Sequence, residues 1–268
     1  MYQEEGGEKM SKNKKRKMIR EGKEESIIER LEEYILPVYP EWRERRVPAS
    51  EEKIAEWKER CGNLLPESYL QYLKYMGEGD GEFLSGALQA ETRLSEMMEL
   101  YEEEELNLQR IEFAMLYIGC GEGWYIVTKE NGKQVIETET GKIHSGEDEY
   151  IEDAESFENL LCQTAYFLYE SKYYKYRKYI LIYEKKEELV KRLEKEGKNI
   201  FEEIERESKR YGFEKAWYSD RNRYIGIKEN MSFYIDKRDE IKLSASIRGE
   251  NIEEVEEMSK RFQKFFEK

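Results

Sequence analysis

Histidine is almost missing from this sequence: His144 is the single one among 268 residues. A serine–histidine–acid triad and most zinc sites need a histidine held by defined partners. The segment GKIHSGEDE offers His144 only a neighbouring acidic run, so it reads as a structural or exposed turn residue, not a catalyst. Cysteine is nearly as scarce. Cys61, Cys120 and Cys162 are odd in number and widely spaced, which fits neither a disulfide framework nor a zinc site and points to a reducing cytoplasm. Long apolar runs are missing too. No stretch approaches the roughly 18 apolar residues of a membrane-spanning helix. The opening MYQEEGGEKMSKNKKRKMIREGKEE also lacks the apolar stretch of a secretory signal. These absences predict no enzyme, no cofactor and no dedicated metal.

What the chain has instead is charge and tyrosine. Charged residues make up 40% and aromatics 13%, with 21 tyrosines, a composition too aromatic for wholesale disorder. The net charge of −14 is unevenly spread. Residues 1–23 carry eight Lys and Arg against four Glu, residues 24–175 carry 15 basic against 35 acidic side chains, and residues 176–268 carry 23 against 21. Nearly all the excess negative charge therefore belongs to the middle segment. Such a surface steers a basic partner and repels nucleic acid and anionic membrane, or serves solubility alone. The basic tail, 1–23, reads as a disordered, solvated leader, because no aromatics interleave its charges as base stacking would need.

Periodicity divides the rest. Ile27, Ile28, Leu31 and Ile35 predict a helix from Glu24 to Ile35, ended by Pro37 and Pro40. Ser50 predicts the N-cap of a second helix bearing Ile54 and Trp57 and closing at Gly62. Pro66 suits the first turn of a third, with Tyr69, Leu70, Leu73 and Met76 at helical spacing, Tyr69 and Tyr72 in the core, and Gly77 as a left-handed stop. EFLSGALQ (82–89) and IEFAMLYIG (111–119) read as strands around an acidic helix from Leu94 to Glu105. GWYIVTKENGKQVIETET reads as a hairpin turning at Asn131-Gly132. Ser156 then caps a helix with Phe157, Leu160, Leu161, Thr164, Ala165 and Leu168 in one stripe. After residue 175 the pattern restarts: YILIYE as a strand, charged helix from Lys185 to Tyr211 interrupted near Gly197, strands in EKAWYS, YIGIK, SFYID and IKLSASIR, and a helix facing inward through Val255, Met258, Phe262 and Phe265. The expected class is α+β, an antiparallel sheet flanked by helices over residues 24–175, followed by a second small α+β domain over 176–268.

Three motifs invite chemistry. GCGEGW (119–124) follows a strand, but a strand and not a helix follows it, so no helix N-terminus is there to hold a phosphate. Paired acids for sugar hydrolysis need environments that separate their pKa values, whereas YEEEEL (101–106) and GEDEYIEDAE (146–155) are runs that look solvated. The second run also lacks the alternating ligands and central glycine of a calcium loop. The candidate partner-binding residues are Glu102, Glu103, Glu104 and Glu105 in the first run. In the second they are Glu147, Asp148, Glu149, Glu152 and Asp153, with Asp80 and Trp124 beside them.

ERCGNLLPESYLQYLKYMGEGDG joins a helix, a short link, Leu65-Pro66 and an aromatic-rich helix closing on glycines. That order resembles the signature of the SUKH superfamily, the cell-wall-regulator-like and bacterial immunity-protein fold. AMLYIGCGEGWYIVT with NGKQVI is similar to its central strand, glycine turn and hairpin, and ESFENLLCQTAYFLYE to its closing helix. The likeness covers about residues 48–171. It implies an α+β fold and, for bacterial members, neutralisation of a partner toxin by direct binding, often a nuclease. It carries no catalytic residues, because the family is not one of enzymes as a class. Nucleases must be basic to hold a phosphate backbone, so the acid balance and the resemblance both point to a basic protein toxin as partner. A regulatory scaffold of the same fold, linking other proteins, is the alternative.

Overall fold

A computed structural model of the chain describes residues 26–101, 107–116, 123–128, 134–141, 148–171, 174–180, 182, 186–197, 199–236 and 243–267. The basic tail, the Asn131-Gly132 turn, most of the glycine turn and His144 lie outside the described residues.

Helix α1 (Ile27–Ile35) begins where the sequence supplies a capping box: Ser26 Oγ accepts from Ile28 N and Glu29 reaches back to Ser26 N at 3.2 Å. A single turn, α2 (Trp42–Arg45), buries Trp42, whose Nε1 donates to Asp80 O at 2.8 Å. Strand β1 (Arg46–Val47) pairs antiparallel with β2 (Gly79–Asp80), a clasp around two helices. Helix α3 (Glu51–Arg60) is capped by Ser50, and α4 (Glu67–Met76) starts just after Pro66 and buries Tyr69, Tyr72, Leu73 and Met76. Gly77 departs from expectation. Its φ is −70°, not left-handed. A Cβ there would lie 2.9 Å from Ala49 Cβ and 2.6 Å from Leu73 O, so the glycine serves close chain approach, not reversal.

EFLSGALQ is not a strand. Its centre forms a short helix, α5 (Leu84–Leu88), with Gln89 left-handed at φ 54° behind it. The Asp80 carboxylate accepts from Phe83 N, Ser85 N and Ser85 Oγ and so holds the turn's entrance. Strand β3 (Ala90–Glu91) and helix α6 (Leu94–Leu100) lead to β4 (Arg110–Leu116), β5 (Gly123–Val127), β6 (Val135–Gly141) and β7 (Asp148–Ala154). These form one antiparallel sheet in the order β3-β4-β5-β6-β7. Helix α7 (Phe157–Ala165), capped by Ser156, continues into one π turn over Tyr166–Glu170. Phe157 is the centre of the core, with ring centroids 5.0 Å from Tyr69, 5.6 Å from Tyr72 and 5.1 Å from Phe113.

The second sheet has the order β8-β12-β11-β10-β9, all antiparallel. Its strands are β8 (Tyr176–Ile180), β9 (Glu214–Lys215), β10 (Arg223–Lys228), β11 (Met231–Asp236) and β12 (Ser244–Gly249). Of YILIYE, Tyr179 and Ile180 belong to β8, and EKAWYS contributes only Glu214-Lys215 to β9. Helices α8 (Lys186–Lys195) and α9 (Ile200–Arg210) break around Gly197 and stop at Gly212, both at positive φ. Helix α10 (Ile252–Phe266) buries Val255, Met258, Phe262 and Phe266, and Phe265 packs half-buried against the same core.

Strands β10, β11 and β12 are buried at almost every position because both faces of this sheet are covered. Phe233, Ile235 and Ile247 face the second core, where Phe233 stacks on Phe262 at 4.0 Å. Ile225, Ile227 and Tyr234 turn the other way and join the first core. The π turn lies between the sheets: Phe167 meets Tyr234 edge-on at 4.9 Å, and the Tyr166 and Ser232 hydroxyls are 2.9 Å apart. The inserted residue of a π turn re-aims the side chains beyond it, and here Tyr169 stacks back on Phe83.

Three carboxylates make the helical layer acid-sensitive, Glu32 and Glu78 by joining separate elements and Glu91 by holding its own turn. Burial alone would raise Glu32, Glu78 and Glu91, but hydrogen bonds outweigh it and hold each below the usual glutamate range. Arg43 and Arg46 bind Glu32, Ser95 and Lys53 bind Glu78, and Arg93 with two backbone N–H groups binds Glu91. A depressed folded-state pKa stabilises fully above the unfolded value of about 4.3 and is lost as pH falls through the folded one. Urea melts followed by circular dichroism should therefore show level stability from about pH 7 to 5.5 and a steep decline below about 4.5. A Glu91→Gln variant should decline less steeply there, and an equal slope would remove Glu91 from this account.

Candidate partner-binding face

Strand pairing sorts the first sheet's residues into two faces, since directly opposed residues share one. Ile111, Ile126, Ile136 and Ala154 are opposed in register and face the helices. The next row is Glu112, Tyr125, Glu137 and Glu152, opposed across β4, β5, β6 and β7 on the other face. A bulge at Phe113 lets both Phe113 and Ala114 enter the core while Glu112 stays outward.

Each acid in this row has a defined setting. Glu112 Oε2 accepts from Tyr101 Oη at 3.4 Å, and its carboxylate lies against Gly123, where any Cβ would collide with it. That contact explains the last glycine of GCGEG. Arg110 Nε reaches Glu137 Oε2 at 3.2 Å. Glu152 is bound by Arg221 and by Asn222 Nδ2 at 3.1 Å, both from the loop before β10. The row is thus three fixed carboxylates around one half-buried tyrosine, Tyr125. Glu112 is only 7% exposed, and Glu137 and Glu152 already hold Arg110 and Arg221, so a cationic partner shares these acids with the protein's own guanidiniums. Among the described residues of the row there is no nucleophile–base pair.

The residues expected from sequence separate into different places. Asp80 is buried at 2% exposure, accepting from Tyr72 Oη at 3.1 Å as well as from the α5 entrance. Asp153 is also inside, ion-paired with Arg223 Nη2 at 2.6 Å. Trp124 pairs with Ala114 and Thr138 and packs against the core, on the face opposite Tyr125. Asp148 and Glu149 stand on β7 opposite Gly141 and Thr140. Glu102, Glu103, Glu104, Glu105 and Glu147 lie outside the described residues. The acidic run 147–153 is therefore not simply solvated: from Asp148 onward it is a strand of the sheet, and charge on such an edge also discourages stray pairing. Glu112 and Glu137 were missed. Their signal is alternation: Glu112 sits between core-facing Ile111 and Phe113, and Glu137 directly follows core-facing Ile136.

Behind the sheet, Asp153, Arg223, Gln163 and Asp220 form a buried polar joint. Gln163 Nε2 donates to Asp220 Oδ2 at 2.9 Å and to Tyr218 O at 3.1 Å, while its Oε1 accepts from Arg223 Nη1. Asp220 Oδ1 accepts from the backbone of Asn222 and Arg223, both at 2.8 Å. This joint locks the β10 approach against β7 and α7, and so holds Arg221 and Asn222 at Glu152.

Among the described residues, no helix is long and apolar enough to cross a membrane and no group of three or more His, Cys, Asp or Glu could hold a metal ion. No curated protein and no solved structure matches the chain. The model of the SMI1 / KNR4 family (SUKH-1) matches residues 48–163. That match supports an immunity-type or SMI1/KNR4-like protein in general, of a family generally not enzymatic, with a protein partner such as a toxin. The helix pair around Leu65-Pro66, the antiparallel sheet and the closing helix α7 are what this match spans, and residues 48–163 are a SUKH-superfamily domain.

Proposed function

We propose that this chain binds and neutralises a basic protein toxin of the nuclease kind in the cytoplasm, without catalysis, using the outer face of the first sheet together with the acidic runs of the sequence, Glu102 to Glu105 and Glu147 to Glu149. The observation that carries this reading is the row Glu112, Tyr125, Glu137 and Glu152 across four hydrogen-bonded strands. A nuclease cleft is cationic because it holds phosphates. Carboxylates set by sheet register favour the approach of a cationic surface and disfavour anionic competitors, while sharing their charge with Arg110 and Arg221. Tyr125 supplies an aromatic anchor of the kind that dominates interface energetics. Glu102 to Glu105 and Glu147 to Glu149 are the acidic runs that precede β4 and open β7 in the sequence and add to its negative charge. Asp80 and Asp153 contribute to it only by shaping the fold.

The test is calorimetric binding of the full chain to a panel of basic nuclease toxin domains at low and high salt. Replacing Glu102 to Glu105 together with Glu147, Asp148 and Glu149 by lysine should weaken binding by at least about tenfold and flatten its salt dependence. Unchanged affinity and unchanged salt slope in a variant that melts like the parent would remove the electrostatic part. The family match ends at residue 163, and a second sheet lies beyond it, which favours a scaffold role as the second reading. A pull-down that recovers a reproducible multiprotein set and no toxin would select it.

A further inference from the structure

Among the described residues, two arginines of the second sheet have no acid paired with them. Strands β12 and β8 pair with Arg248 opposite Arg177 and Ser246 opposite Tyr179. Directly opposed side chains have Cβ atoms about 4.5–5.5 Å apart, and like charges placed so are unfavourable. Arg248 is only 6% exposed, yet its Nε has no hydrogen-bond partner. Ser246 Oγ, on the same face and 1% exposed, has none either.

Their contacts are aromatic instead. The Arg248 guanidinium lies 5.9 Å from the Tyr166 ring centroid and that of Arg177 lies 4.1 Å over Tyr179. Among the described residues no carboxylate forms an ion pair with either arginine. Arg223, on the same sheet face, shows the contrast, being paired with Asp153. Asp236 also lies on this face, but it is occupied by the Tyr234 hydroxyl at 2.7 Å and by Arg223. Burial first, and then the charge of Arg248 beside it, lower the proton affinity of Arg177. A buried guanidinium Nε and a buried hydroxyl without partners, beside the exposed guanidinium of Arg177, are what a bound oxyanion would satisfy, and paired guanidiniums match phosphate geometry well.

We propose that Arg177, Arg248 and Ser246 form a binding site for a phosphate group, with the exposed Tyr179 ring at its border. The site lies on strands beyond the family match and is separate from the acidic face of the first sheet. A phosphate dianion cancels the opposed charges, and its oxygens accept from both guanidiniums and the serine. The source is either free inorganic phosphate or the phosphate of a nucleotide, whose base would stack on Tyr179.

The experiment is thermal melting and calorimetry of the full chain with sodium phosphate and with adenosine monophosphate, against sodium chloride at matched ionic strength. Phosphate should raise the melting temperature saturably. Tighter binding of the nucleotide would assign the nucleotide source, and equal or weaker binding would assign free phosphate. Arg177→Gln, at an exposed position, should weaken binding by at least about tenfold. In phosphate-free buffer the same change should raise the melting temperature by relieving the opposed charges, which a purely structural arginine would not do. Arg248→Met provides the second check. No saturation, the same response to chloride, or the same response in Arg177→Gln would overturn the site.

Discussion

Arg223→Ala should cost about 3–5 kcal/mol of folding stability, because it removes the buried guanidinium paired with the Asp153 carboxylate. The Arg223 and Asp153 side chains are 7% and 4% exposed, so water cannot take over the lost contact. Gln163 loses a donor at the same time. The joint crosses from β7 and α7 to β10, hence the two sheets should loosen together, and urea melts should show an earlier or split transition. Arg221 is the control. It also pairs with a β7 acid, Glu152, but is 53% exposed, and Arg221→Ala should cost no more than about 1 kcal/mol. Combining Arg223→Met with Asp153→Leu should recover much of the loss, since buried ion pairs are often replaceable by apolar packing. Equal small losses in Arg223→Ala and Arg221→Ala would show that burial does not set the strength of this pair.

Phe157→Ala should be comparably severe, about 3–5 kcal/mol, by emptying the point where α4, β4 and α7 meet. Phe157 is 1% exposed and contacts Tyr69, Tyr72 and Phe113. The surrounding rings are anchored on α4 and β4 and cannot collapse into the void. Phe157→Leu should lose less because it retains most of the volume. On the outside of α4, Tyr75 is 41% exposed, and Tyr75→Ala should stay within about 0.5 kcal/mol. Chemical melts of the three variants check the ranking, and a Phe157→Ala loss as small as that of Tyr75→Ala would move the centre of the core elsewhere.

The answer to why one short helix carries so much aromatic material lies in the same place. Tyr69 and Tyr72 stack at 6.2 Å and both meet Phe157, while Tyr75 lies outside. Helical spacing made that division readable. Local caps were equally readable, as Ser50 and Ser156 show by accepting from Lys53 N and Asn159 N. EFLSGALQ was not, because its short apolar run fits a strand as well as a turn of helix. Its shape is decided by Asp80, which the clasp of β1 and β2 and the hydroxyl of Tyr72 bring to the entrance. Gly77 looks like a helix stop in sequence, but Ala49 across the helix pair is the reason no side chain fits.

By itself the sequence determined the α+β class, most helix starts, the aromatic core of α4 and the SUKH resemblance, because caps and periodicity act over three or four residues. Only the tertiary structure decided which carboxylates face outward and which are consumed inside. Asp153 and Glu152 are neighbours in sequence, yet strand alternation turns them to opposite faces, and Asp153 finds Arg223 70 residues away. Charge pairing depends on distance in space, and the bare order of residues does not contain that distance.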